Sequence, residues 1–158
     1  MQDTLNQLVA VLEYRKERLA ETGCPDLDAY NEATGDNLPR LVFACDEVAE
    51  VLDKTGRCKE DKELLAQIES GLATIARLGR AFGIHLILAT QRPDAIIIPG
   101  QIKNNLDFRV CGRAESVLSS IILDNGSAAE QIPKDARGRF ITGDGTVFQG
   151  YLFDEMQL

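Results

Sequence analysis

Leu41-Val42-Phe43-Ala44-Cys45-Asp46-Glu47 is a short apolar run that breaks off at two adjacent carboxylates, and its reading decides the fold. A continuous apolar stretch of this length, without alternation, is the pattern of a parallel strand buried on both faces. Ile84-His85-Leu86-Ile87-Leu88-Ala89 repeats the pattern and also stops at polar residues, Thr90-Gln91-Arg92, ahead of Pro93. Between the two runs, Leu64, Ile68, Leu72, Ile75 and Phe82 line one helical face over residues 61–82. Glu60, Asp61 and Glu63 stand at its start and Arg77 and Arg80 near its end, as the helix dipole favours, with Gly83 as the expected stop. Strand, helix, strand in this order predicts an α/β fold with a mainly parallel sheet and helices on both faces.

Outward from this centre, Leu5, Leu8, Val9, Leu12 and Leu19 predict a helix to about residue 22, closed by Gly23 and Pro25, with Glu13, Glu17 and the Arg15–Arg18 cluster between the apolar positions. Residues 26–40 read as a polar stretch, and residues 48–52 as a short apolar helix before a charged loop from Asp53 to Lys59. Beyond Pro93 the pieces are shorter: a turn or helix near Gly100–Asn104, a strand at Phe108–Cys111, a helix from Glu115 to Leu123, and strands at Arg139–Ile141 and Thr146–Phe153. Gly143-Asp144-Gly145 joins the last two as a β-hairpin.

A length of 158 residues suits one domain, and 44% hydrophobic with 27% charged residues excludes disorder. The net charge of −8, most of it in the first half, excludes a stand-alone basic DNA-binding module. Cys24, Cys45, Cys58 and Cys111 form no C-x-x-C pair and there is one His, so neither a zinc site nor a disulfide framework is expected. The apolar runs at Leu86–Ala89 and Ala95–Ile98 fall far short of the ~20 residues that span a bilayer. Asp3 and Glu13 replace the basic start of a signal peptide, so the expected location is cytoplasmic.

Ligands of open α/β sheets bind outside the carboxyl ends of strands. Asp46-Glu47 has the form of a Walker B element, in which a strand delivers an Asp to hold Mg2+ through water and a Glu to polarise the attacking water. The same pattern arises when an Asp merely caps the following helix. Thr90-Gln91-Arg92 adds weight, because a Gln amide can donate to a phosphate and accept from water together; a polar exit before a proline is the plainer alternative. The phosphate-cradling motif G-x-x-x-x-G-K-[S/T] is not found: Gly138 and Gly143 approach its spacing but are followed by Asp144-Gly145. The chain carries the hydrolytic half of a nucleotide site without the binding half.

Leu38-Pro39-Arg40 with the run from Leu41 to Glu50, Arg80-Ala81-Phe82-Gly83 with the run from Ile84 to Pro93, Gly100-Gln101-Ile102-Lys103-Asn104-Asn105, and Phe108-Arg109-Val110 resemble the FtsK/SpoIIIE family of DNA-translocating ATPases. Glu13-Tyr14-Arg15 and Tyr30-Asn31 are similar to that family's segment before Walker B, and the resemblance covers residues 5 to 142. It implies a RecA-like P-loop NTPase motor domain, hexameric around double-stranded DNA, using ATP and Mg2+. Asp46 would be the metal-linked acid, Glu47 the water-activating base, and Thr90 and Gln91 the nucleotide-facing pair. Ring ATPases add an Arg in trans; Arg109 and Arg113 are the candidates, Arg109 preferred, with Arg80 behind them. Arg57 and Lys59, with Lys54, in one loop and Arg92 and Lys103 in another would follow the DNA backbone in the pore, and Ile96-Ile97-Ile98 would face DNA or a neighbouring subunit.

Gln91-Arg92-Pro93-Asp94, Pro99-Gly100-Gln101 and Gly138-Arg139-Phe140 look more like the coupling proteins of conjugative elements, which implies transfer-machinery partners and is compatible with membrane tethering outside this window. The expected identity is the C-terminal part of a motor domain over residues 1–158, inactive on its own, with an open strand edge and apolar faces where the phosphate-loop strand is missing. Two alternatives stay open: a degenerate, non-catalytic interaction module, and a related secretion-system motor that moves protein.

Overall fold

The computed structural model describes residues 1–91, 93 and 97–151. In chain order its elements are α1 (Gln2–Thr22), α2 (Leu27–Thr34), β1 (Leu41–Cys45), α3 (Val48–Leu52), α4 (Lys59–Leu78), β2 (Ile84–Leu88), α5 (Gly100–Lys103), β3 (Val110–Cys111), α6 (Ser116–Leu123), α7 (Ser127–Gln131), β4 (Arg139–Thr142) and β5 (Val147–Gln149). They fall into two compact units, one holding α1 to α5 and the other β3 to β5.

In the first unit, β1 and β2 pair in parallel, Leu41 opposite Ile84 through Cys45 opposite Leu88. Parallel neighbours need a crossover, and α3 and α4 supply it. The sheet face bearing Ile84 and Cys45 is buried, and α4 packs on β2. The other face carries Val42 and Ile87, 60% and 58% exposed, so the expectation of strands buried on both faces is corrected. The parallel sheet among the described residues has two strands only, and its second face lacks a covering layer.

Helix α1 lies along α4. Leu5, Leu12 and Leu19 are buried, and Gly23 at φ 69° ends the helix in the left-handed conformation that favours glycine. Arg15, expected on the polar side, is buried with them at 3% exposure. Its Nη1 donates to the Phe82 carbonyl (2.6 Å) and its Nη2 to the Pro39 carbonyl (2.7 Å), which makes the burial of a cation tolerable. Burial pushes its pKa down from the ordinary value.

The polar stretch after Pro25 contains a helix that the sequence pattern concealed. Asp26 caps α2 by accepting from the Ala29 N–H (2.9 Å), and Leu27 and Tyr30 go into the core. Helix α4 starts at Lys59, because Cys58 is its N-cap and its Sγ accepts from the Asp61 N–H. It stops at Leu78, short of residue 82: a Cβ on Gly79 would lie 2.3 Å from the Ile84 carbonyl oxygen, so the chain turns there at van der Waals limits. The buried face of α4 is Leu65, Ile68, Leu72 and Ile75; Leu64 is exposed and Phe82 lies beyond the helix.

The second unit packs Cys111, Leu123, Ala128, Ile132 and Ile141 together. Its sheet is antiparallel in the order β3-β4-β5, and the loop at Gly143-Asp144-Gly145 closes the β4–β5 hairpin. The strand expected at Phe108–Cys111 shrinks to Val110–Cys111, since Phe108 is 79% exposed with no ladder partner. Of the strand expected at Thr146–Phe153, Val147–Gln149 forms; Leu152 and Phe153 lie outside the described residues. Helix α7 was not anticipated. The Ser119 hydroxyl accepts from the Ala128 N–H and donates to the Asn125 carbonyl, tying α7 to α6.

Candidate functional site

Backbone pairing between the two parallel strands continues past their ends. The Ala89 N–H donates to the Cys45 carbonyl (2.8 Å) and the Val48 N–H to the Ala89 carbonyl (2.9 Å). These two bonds pin both ends of the Asp46-Glu47 dipeptide at the carboxyl edge of the sheet, where ligands of α/β folds bind.

The two carboxylates have different surroundings. Asp46 is exposed, and its side chain makes no hydrogen bond or ion pair with the described residues. Glu47 is half-buried and is the N-cap of α3 by position, yet its side chain makes no capping bond. Neither acid therefore caps the helix. Instead Glu47 reaches across to the end of β2, where Oε1 accepts from the Thr90 hydroxyl and Oε2 from the Gln91 N–H (2.9 Å). Burial, joined by the negative charges of Glu47 and Asp46, pushes the Cys45 thiol above its ordinary pKa and keeps it protonated.

The Glu47–Thr90 bond was missed in the sequence, though a signal was present. The strand pairing has a constant offset of 43 residues, so extending the register from Cys45 opposite Leu88 by two places sets Glu47 opposite Thr90. The Gln91 side chain is exposed at the same edge.

Arg109 belongs to the second unit, where its Nη1 donates to the Ile122 carbonyl (2.8 Å) and pairs with Asp124 (2.7 Å) at the carboxyl end of α6, where a cation suits the dipole. Arg113 donates to the carbonyls of Ala114 and Ala129, and Arg80 is exposed in the first unit. Arg57 is exposed, Lys59 opens α4 within 3.9 Å of Glu63, and Lys103 closes α5. Arg92 and Ile96 lie outside the described residues; Ile97 and Ile98 are half-buried. A cleft of about 530 Å3 in the first unit is lined by Lys54, Glu69, Thr74, Arg77, Gln101 and Asn105; Arg57, Lys59 and Lys103 are not among its lining residues.

No group of three His, Cys, Asp or Glu suited to hold a metal occurs among the described residues, and none of their helices is long and apolar enough to cross a membrane. The solitary Asp46 carboxylate fits Mg2+, which is usually held by one or two carboxylates with waters and substrate phosphates.

No protein-family model matches the chain. The chain is 35% identical over 132 residues to the DNA translocase FtsK of Oceanobacillus iheyensis, and 33% identical over 133 residues to the DNA translocase SftA of Bacillus subtilis. These matches cover 78% and 81% of this chain but 16% and 13% of the relatives, so the chain spans under a fifth of their length. Among solved structures, the pCW3 conjugation coupling protein TcpA, in a monomer form with ATPgS, matches with a TM-score of 0.91 and 38% identity over 99% of this chain and 45% of that one. EccC of Thermomonospora curvata, at 23% identity and a TM-score of 0.71 over 94% of this chain and 25% of its own, shows the shared fold. The fold is that of the P-loop ATPases, with the parallel pair, its helices and a C-terminal antiparallel hairpin. With an apolar strand that ends in Asp46-Glu47 and a parallel neighbour that ends in Thr90-Gln91, the chain belongs to the FtsK/SpoIIIE family.

Proposed function

We propose that this chain is the hydrolytic part of an ATP-driven motor that moves double-stranded DNA during DNA transfer, and that it works together with a phosphate-binding loop outside residues 1–158. The observation that carries this reading is the pairing of an exposed Asp46 with a Glu47 fixed against Thr90 and Gln91 at the carboxyl edge of a parallel strand pair. Mg2+, when bound, would supply positive charge against the negative charge that develops on the phosphates. Asp46 would hold that ion through a water. Glu47 orients and polarises the attacking water, and the exposed Gln91 amide contacts the terminal phosphate.

Arg109 is proposed as the residue acting in trans. Its Nη1 is engaged by Ile122 and Asp124, whereas Nη2 and Nε make no hydrogen bond with the described residues and can serve an acceptor on a neighbouring subunit of a six-membered ring. Arg57, Lys59, Arg92 and Lys103 follow DNA phosphates without reading bases, which suits a motor that must move along any sequence. Positive charge on these loops suffices in a chain of net charge −8. The coupling-protein likeness favours conjugation as the setting.

The test is ATP hydrolysis by the full-length protein with and without duplex DNA over a salt series. Stimulation at low salt that fades as salt rises is expected, with a loss of about 10²-fold or more in Glu47→Gln. The isolated 158 residues should show no turnover. Absence of DNA stimulation at low salt, or an active Glu47→Gln protein, would sink the proposal.

A further inference from the structure

We infer that Thr90 is a positioning residue that holds the Glu47 carboxylate for its work on water; the inference rests on the role of Glu47 proposed above. Ionised carboxylates accept at about four lone-pair sites. At Glu47 two of the sites take donors from the end of β2, the Thr90 hydroxyl and the Gln91 N–H.

The two donors differ in kind. The Gln91 N–H is backbone and would be present with any residue but proline. The hydroxyl is the part that the sequence chooses, on a β-branched side chain whose χ1 is stiff. Its anchorage is firm, since the preceding residue, Ala89, donates its N–H to the Cys45 carbonyl and accepts from the Val48 N–H. Glu47 has no competing duty at the α3 terminus, because it makes no capping bond there. A long side chain that would otherwise sample many rotamers is thus held in one orientation relative to Asp46, and small misplacement of a catalytic group costs up to about 10² in rate.

The inference separates Thr90 from direct nucleotide contact, and the two roles give different kinetics. In the full-length protein, Thr90→Val keeps the shape and removes the donor. Its kcat for ATP hydrolysis is expected to fall about tenfold to a hundredfold with KM for ATP unchanged, and Thr90→Ser to recover most of it. Introduced into Glu47→Gln, Thr90→Val should cost nothing further, since residues acting as a unit are non-additive.

A raised KM at unchanged kcat, equal losses in Val and Ser, or a full additional loss on the Glu47→Gln background would overturn the inference. If Glu47→Gln alone leaves turnover intact, the proposed role of Glu47 has failed instead. A measurement on the 158-residue chain needs no turnover at all. The Gln91 amide should exchange with solvent about tenfold faster in Thr90→Val than in the wild type or Thr90→Ser, as a loosened carboxylate releases it. Equal exchange in all three would also overturn the inference.

Discussion

Replacing Arg15 by methionine tests whether one buried cation sets the starting positions of both strands that carry the site. Met keeps an unbranched apolar stem in the α1 core and deletes the guanidinium that donates at 2.6 Å to Phe82 and 2.7 Å to Pro39. Those carbonyls lie two residues before Ile84 and Leu41, and the Leu41 N–H itself donates to Gly83 (2.8 Å), so the three bonds join the base of the parallel pair. Hydrogen bonds to charged groups contribute ~1.5–3 kcal/mol each, and some of that is recovered because the cation is no longer buried, so a net loss of about 3 kcal/mol is expected. At a urea slope of ~2 kcal/mol/M the unfolding midpoint should fall by about 1.5 M. Arg15→Lys, a point charge that cannot serve both carbonyls, should fall between. Arg18→Met is the control, because Arg18 is 44% exposed and pairs at 3.6 Å and 3.7 Å with Glu21 and Asp36; it should cost under ~1 kcal/mol. An Arg15→Met midpoint close to the wild type, or equal shifts in the Arg15 and Arg18 variants, would show that the guanidinium is not what joins the strands.

Two further outcomes follow from local geometry. Gly79→Ala drives a Cβ to 2.3 Å from the Ile84 oxygen and 2.6 Å from the Ile75 oxygen, both backbone, and should cost about 3 kcal/mol or more, a fall in Tm of about 10 °C; Gly71→Ala, whose Cβ would meet its neighbours at 3.8 Å and 4.0 Å, should be neutral or stabilising in the same melting experiment. Asp144 accepts from the Thr142 hydroxyl and from the Thr146 N–H, which hold its carboxyl below the usual Asp range. A depressed carboxylate stabilises above its unfolded pKa, so the stability gap between wild type and Asp144→Asn should be constant above about pH 5 and shrink below about pH 4. A gap that widens on acidification would reverse the sign and refute the assignment.

The sequence disclosed the features written in continuous apolar runs and glycine stops: both parallel strands, α1 to its last residue, α6 and the hairpin. It concealed what depends on a capped turn or on a polar residue facing inward. Helix α2 is mostly polar, and only Leu27 and Tyr30 face the core, too few for a periodic signal over eight residues. Arg15 sits three residues after Leu12 and four before Leu19 and so lies on the face of the buried leucines, but its charge argued for the surface. On α4 Ile68, Leu72 and Ile75 are buried as expected, while Leu65 takes the place expected for Leu64, because adjacent leucines fit either phase until the packing partner is known. At the site, the residue types were legible and their mutual hydrogen bonds were not, since these cross between strands 43 residues apart.

That distance also explains why two adjacent acids can do different work. Asp46 and Glu47 are chemically close, and an isolated dipeptide would give no reason to divide their roles. The division comes from the ladder bonds at Cys45 and Val48, which fix the backbone on either side while one side chain turns to β2 and the other to solvent. Like charges side by side repel, and the two donors on Glu47 offset that repulsion for one partner only. Side-chain length completes the separation. An Asp at position 47 would be one methylene, about 1.5 Å, shorter, and could not keep both the Thr90 hydroxyl and the Gln91 N–H in hydrogen-bond range. The order of the two acids matters to this geometry: the short one faces solvent, where the proposed Mg2+ would bind, and the long one reaches across the strand pair to the residues that hold it in place.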